Sequence, residues 1–157
     1  MVHSPEIYFV RLNLFQRTQH WTLAGSFILL TVTGLPMRFP DTEWLSVIYN
    51  LVGGISTARI IHRTAAVVMM LDGLVHLFYI FYLLFASHFK ITEAWPMIPT
   101  KKDALDWWET SKYYFGLQPH LPQYDRFNFR EKFDYFAVFW GLPVMMISGL
   151  VLWFPVY

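Results

Sequence analysis

The sequence predicts an all-α integral membrane protein: a helical bundle of three transmembrane helices with interfacial helices beside them. Two observations carry this. The 157 residues are 55% hydrophobic and 20% aromatic, and only 15% are charged. A soluble domain carries about 25% charged residues. The apolar residues also gather into three long runs, WTLAGSFILLTVTGLPMRF, TAAVVMMLDGLVHLFYIFYLLFA and YFAVFWGLPVMMISGLVLWFPVY. A membrane span needs about 20 mainly apolar residues, and each run has that length. The expected spans are about 20–39, 62–86 and 134–156, within a single membrane domain of residues 1–157.

Each element follows in order. Residues 5–19, PEIYFVRLNLFQRTQ, alternate apolar and polar groups and are expected to lie along the interface before the first span. The first span has no charge before Arg38, and it lacks the small-x-small cleavage site of a signal peptide. The second carries one acid, Asp72, and one histidine, His76. The loop 87–133 holds DALDWWETSKYYFGL, aromatic rings among charges that suit the headgroup region. Pro96, Pro99, Pro119 and Pro122 limit the helices there, and RFNFREKFDYF leads into the third span. Nine Lys and Arg residues precede the first span or follow the second, against Arg38, Arg59 and Arg63 between them. By the positive-inside rule the N-terminus and the loop 87–133 are cytoplasmic. Gly53-Gly54, in the loop between the first two spans, offers backbone N–H groups to an anion.

Composition also excludes chemistries. The net charge of +1 is far from that of a nucleic-acid binder. With no cysteine there is no disulfide, no iron–sulfur ligation and no covalently attached c-type haem in this chain. Metal chemistry rests on six histidines and eleven carboxylates. His3, His88 and His120 lie in a terminus or loops. His20, His62 and His76 open or occupy spans, where an ionisable group is costly and marks function by default. A neutral histidine bonded to a neighbouring helix is the plainer reading of any one of them.

Spacing adds to this. His62 and His76 are fourteen residues apart. On a helix that is about 21 Å along the axis and about 40° in direction, so both imidazoles leave one face at two depths. Two haems stacked across a membrane need that arrangement. Ala65, Ala66, Met69 and Gly73 share the face and form a low surface of the kind a flat macrocycle needs, although ordinary helix packing uses the same residues. His20 and Gly34 repeat the spacing on the first span, so Gly34 makes room at the depth opposite His20. Arg38, Arg59 and Arg63 gather on one side, where guanidinium groups bind carboxylates such as haem propionates or simply reach the interface. Asp72 precedes His76 by one helical turn. Three roles stay open for it: bonding the outer nitrogen of His76, moving protons at a quinone site, or remaining a buried carboxylic acid.

QRTQHWTLAGSFILLTVTGLPMRF, ARIIHRTAAVVMMLDGLVHLFY and RFNFREKFDYFAVFWGLPVMMISGLVLWFP resemble the first three helices of bacterial di-haem cytochrome b membrane subunits. These belong to formate dehydrogenases, nickel–iron hydrogenases and related quinone-linked complexes. The resemblance implies a four-helix bundle with two b-type haems in the bacterial cytoplasmic membrane. It implies electron flow between a quinone pool and a partner redox subunit carrying iron–sulfur or haem centres. Position by position it makes His20 and His62 metal ligands; His76 has a counterpart in only part of the family. The family's fourth helix, with two further ligands, is not matched here. The expectation is therefore that another subunit supplies a ligand helix, or that the sequence is truncated. Against this membrane electron-transfer subunit stand a haem-free membrane anchor and a proton conduit built on Asp72 and His76. In none of these readings does the chain carry hydrolytic catalytic residues.

Overall fold

Short polar caps set where the helices of this chain begin. The computed structural model describes residues 11–154, and every regular element among them is helical. Asn13 caps α1 (Leu14–Arg38). Its side chain accepts a hydrogen bond from the Gln16 amide at 2.8 Å, and Gln16 accepts one from the Asn13 amide at 3.0 Å. This reciprocal box starts the helix at Leu14. The expected interfacial segment 5–19 is corrected accordingly: Leu14–Gln19 is the start of α1, with Gln19 buried, and residues 5–10 lie outside the described part.

A helix absent from the sequence expectations follows, α2 (Glu43–Val52). It ends at Gly53, whose φ of 88° is left-handed, and Gly54 continues at 95°. Only glycine takes such angles without strain. The Gly54 amide donates to the Tyr49 carbonyl at 2.7 Å. That amide therefore closes the helix end and is not the anion donor expected of it. α3 (Ile55–Ala86) begins at once, seven residues before the expected start, and its 32 residues span about 48 Å.

The chain forms two compact units, one up to His76 and one from Leu77, with α3 running through the boundary. In the second unit lie α4 (Ile91–Ala94), α5 (Lys101–Tyr114) and α6 (Phe129–Trp153). Two more boxes start α5 and α6, Thr100 with Asp103 and Asn128 with Glu131. Buried Lys132 on α6 meets buried Asp103 on α5 at 2.8 Å. The Thr100 hydroxyl and amide also donate to Asp103, each at 2.6 Å. Trp95 stands edge-on to Tyr135 at 6.1 Å and tilted over Phe139 at 5.0 Å.

Burial alone raises the Asp103 carboxyl, but the Lys132 ammonium and the two Thr100 donors outweigh it and hold the group below its usual range. The unfolded chain then binds more protons than the folded one as pH falls through about 4, so stability rises with pH there and is lost below it. Asp106, raised by burial, acts in the opposite sense. The contribution is read as the difference between wild type and Asp103→Asn: melting temperatures in detergent should differ above the ordinary carboxylate range and converge as the pH falls below it.

α3 and α6 are long and apolar enough to cross a membrane. Lys132 is the one fully buried side chain described on α6, while Phe133, Trp140, Ile147 and Leu152 are exposed. Phe78, Tyr82 and Phe85 are likewise exposed on α3. Large apolar side chains facing outward in such numbers suit a lipid or partner-helix environment. α1 has the length of a span, about 37 Å, but Thr22, Ser26, Thr31 and Thr33 make it less apolar.

Candidate functional site

The site is built where α1 and the first part of α3 meet. His62 sits on the second turn of α3, and its Nδ1 is 2.9 Å from the Thr33 hydroxyl. That hydroxyl also lies 2.6 Å from the Leu29 carbonyl one turn back. A threonine hydroxyl has a single proton. Given to Leu29, it leaves the oxygen to accept from the Nδ1–H tautomer of His62. Gly34 lies against the same ring. A Cβ built there would stand 3.1 Å from His62 Cε1 and 3.6 Å from Nδ1.

A similar contact forms at the other end of the helix pair. His76 Nδ1 is 3.3 Å from the side-chain oxygen of Gln19. An amide oxygen only accepts, so this ring too is protonated on Nδ1. Gln19 is buried, and its Nε2 has no partner among the described residues. Gln19 and Thr33 are fourteen residues apart on α1, as His62 and His76 are on α3. Low meets high, so the helices run antiparallel here, with two rungs about 21 Å apart.

His20 is exposed, its ring edge-on to Trp21 at 5.9 Å. Its neighbour Gln19, not His20, makes the contact to α3. Gly34 serves the ring of His62 on its own rung. Ala65 and Met69 are buried, and Ala66 and Gly73 are half-buried, so much of the small-residue face is already packed. A groove of about 280 Å³ opens beside it, lined by Ser26, Leu29, Ile61, Thr64 and Ala65 among others. Arg59 and Arg63 are exposed on successive turns beside His62, and Arg38 lies over the Phe39 ring at 5.4 Å. Asp72 is half-buried. Gln19, on α1, is the described partner of His76 Nδ1.

Sequence reasoning missed Thr33 and Gln19. A usable signal was present: the interval of fourteen on α1 begins equally well at Gln19 as at His20. One residue turns the face by about 100°, and only the packed helices decide between them.

These groups fit an iron porphyrin. No three His, Cys, Asp or Glu side chains cluster to hold a bare metal ion among the described residues. A haem would need only single imidazoles from the chain, and His62 is placed to offer one. Gly34 provides a close backbone approach that a methyl group would crowd and a larger side chain would fill. Replacing Gly34 by valine should therefore push the His62 ring off Thr33 and cost about 1–3 kcal/mol by overpacking. Gly34→Ala should come out nearer neutral, because the helix gains about 1 kcal/mol from losing a glycine. Thermal unfolding in detergent checks both.

Apolar, membrane-length helices with imidazoles set between them fit a membrane haem protein. The chain belongs to the prokaryotic cytochrome b561 family, whose model matches residues 11–157. Among curated relatives it is similar to the formate dehydrogenase cytochrome b556(fdo) subunit of Escherichia coli strain K12. The two are 28% identical over 148 residues, which is 94% of this chain and 62% of the relative. The nitrate-inducible formate dehydrogenase cytochrome b556(Fdn) subunits of strain K12 and of Shigella flexneri are each 23% identical, again over 94% of this chain and 61% of theirs. The chain thus spans about three-fifths of the length of these relatives.

Proposed function

We propose that this chain is the haem b-binding part of a membrane electron-transfer subunit that links a quinone pool to a partner redox subunit. The observation that carries this reading is the pair of imidazoles at 62 and 76, each held through Nδ1 by α1. Bound haem would supply a one-electron site at each depth of the bilayer. The residues of this chain do the rest. His20, His62 and His76 are the candidate iron ligands. Arg59 and Arg63, with Arg38, pair with propionates through two parallel N–H bonds. Gly34 and Gly73 keep the helix surface low, and Asp72 lies one helical turn before His76. Two six-coordinate haems need four axial ligands, so a further ligand helix comes from outside these residues.

The same proposal includes three spans, about 20–39, 62–86 and 134–156, in one domain of the bacterial cytoplasmic membrane. The N-terminus and the loop 87–133 face the cytoplasm. The formate dehydrogenase names of the relatives support a partner with iron–sulfur or haem centres. Anaerobic addition of a quinol to the purified complex is expected to reduce the b-type haem within seconds. A haem that responds to dithionite but never to quinol contradicts the quinone part of the reading.

A further inference from the structure

Helix α5 is turned inside out. Asp103, Asp106 and Thr110 fall within about 60° of one another on the helical repeat, and all three are buried. They pack into their own unit: Asp103 meets Lys132 of α6 at 2.8 Å, and the Thr110 hydroxyl lies 2.7 Å from the Tyr124 hydroxyl. The opposite face is centred on Trp108 and carries Lys101, Ala104, Leu105, Lys112 and Phe115 at helical spacing. Trp108 is 54% exposed and Phe115 81%, and exposed Leu117 continues the apolar edge past the helix end. A surface helix in water does the reverse, with its apolar stripe inward and its charges outward.

Three features of the outward face indicate what covers it. Its central ring is a tryptophan, the ring type that settles at the headgroup level of a membrane. Its charges are basic only. Lys101 and Lys112 flank Trp108, with the Lys112 ammonium 5.5 Å from the Trp108 ring, while both aspartates are buried on the far side and Glu109 lies about 100° round the helix. The face also starts level with the foot of a membrane-length helix. Asp103 is bonded to Lys132, and at the very next residue, Phe133, α6 begins to present large apolar side chains outward.

We propose that α5 lies in the membrane interface with its Trp108 face against anionic phospholipid, held in that roll by the inward contact of Asp103 with Lys132. The rings sit among the headgroups, and the lysine stems run along apolar surface to keep their ammonium groups at the phosphates. No carboxylate faces the lipid. The proposal needs α6 in the bilayer and is independent of haem.

The test places a photoreactive benzoylphenylalanine at Trp108 or at Phe115 of the full chain, within its membrane complex in nanodiscs of equimolar phosphatidylcholine and phosphatidylglycerol. Both positions are exposed, so the packed face of α5 is left untouched. Mass spectrometry after illumination identifies what is attached. Phospholipid adducts are expected at both positions, with phosphatidylglycerol preferred about fivefold, the ratio that one basic residue supports near an anionic surface. Combining Lys101→Gln with Lys112→Gln should bring that ratio towards one while lipid adducts persist. An adduct to another polypeptide would assign the face to a protein partner and overturn the proposal. A position with no adduct faces water and overturns it as well. Equal capture of the two lipids by the chain with both lysines would overturn the preference for anionic lipid.

Discussion

Replacing His62 by alanine is expected to remove one b-type haem equivalent and leave the other in place. Alanine has no donor atom, and no other imidazole lies on the Thr33–Gly34 rung among the described residues: His76 is held about 21 Å away by Gln19. The backbone should survive, because the Thr33 hydroxyl still donates to Leu29 and α3 keeps its apolar length. His120→Ala, in an exposed loop of the second unit, serves as the control and should leave haem content untouched. Haem per protein in purified membranes is the measurement. An unchanged value in His62→Ala would show that His62 is not a ligand.

The second large effect concerns stability. Lys132 is 4% exposed and Asp103 is 7% exposed, and they meet at 2.8 Å. Lys132→Met keeps the apolar stem and removes the charge, leaving a buried carboxylate with only the two Thr100 donors. Breaking a buried pair from one side costs about 3–5 kcal/mol. Adding Asp103→Asn should recover much of that loss, since the uncompensated charge is then gone and the amide can still accept from Thr100. Denaturation in detergent across the two single variants and the double variant gives the coupling directly. A Lys132→Met protein as stable as wild type would show that the pair contributes nothing.

The sequence carried the helical class, the two clearest spans and the interval between His62 and His76. Those are legible because hydropathy and the helical repeat act within one segment. Residues joined across segments were harder to see. Asp103 and Lys132 are twenty-nine positions apart and each looks like an ordinary loop charge until α5 and α6 pack. Thr33 and Gln19 are common span residues, and their value comes only from facing α3. The rotation that favours Gln19 over His20 at the inner rung is a packing fact. α2 escaped notice because WLSVIYNLV is short, and its end depends on two glycines in left-handed geometry. Capping boxes at Asn13, Thr100 and Asn128 were readable signals that place three helix starts.

The most direct test of haem binding is the dithionite-reduced minus oxidised spectrum of the purified wild-type complex, calibrated by extracted haem per protein. The reading predicts b-type bands that are non-covalently held and account for two haems per assembled complex. A correctly assembled complex with no haem absorbance would contradict it and leave the α1–α3 rungs as plain helix-packing hydrogen bonds.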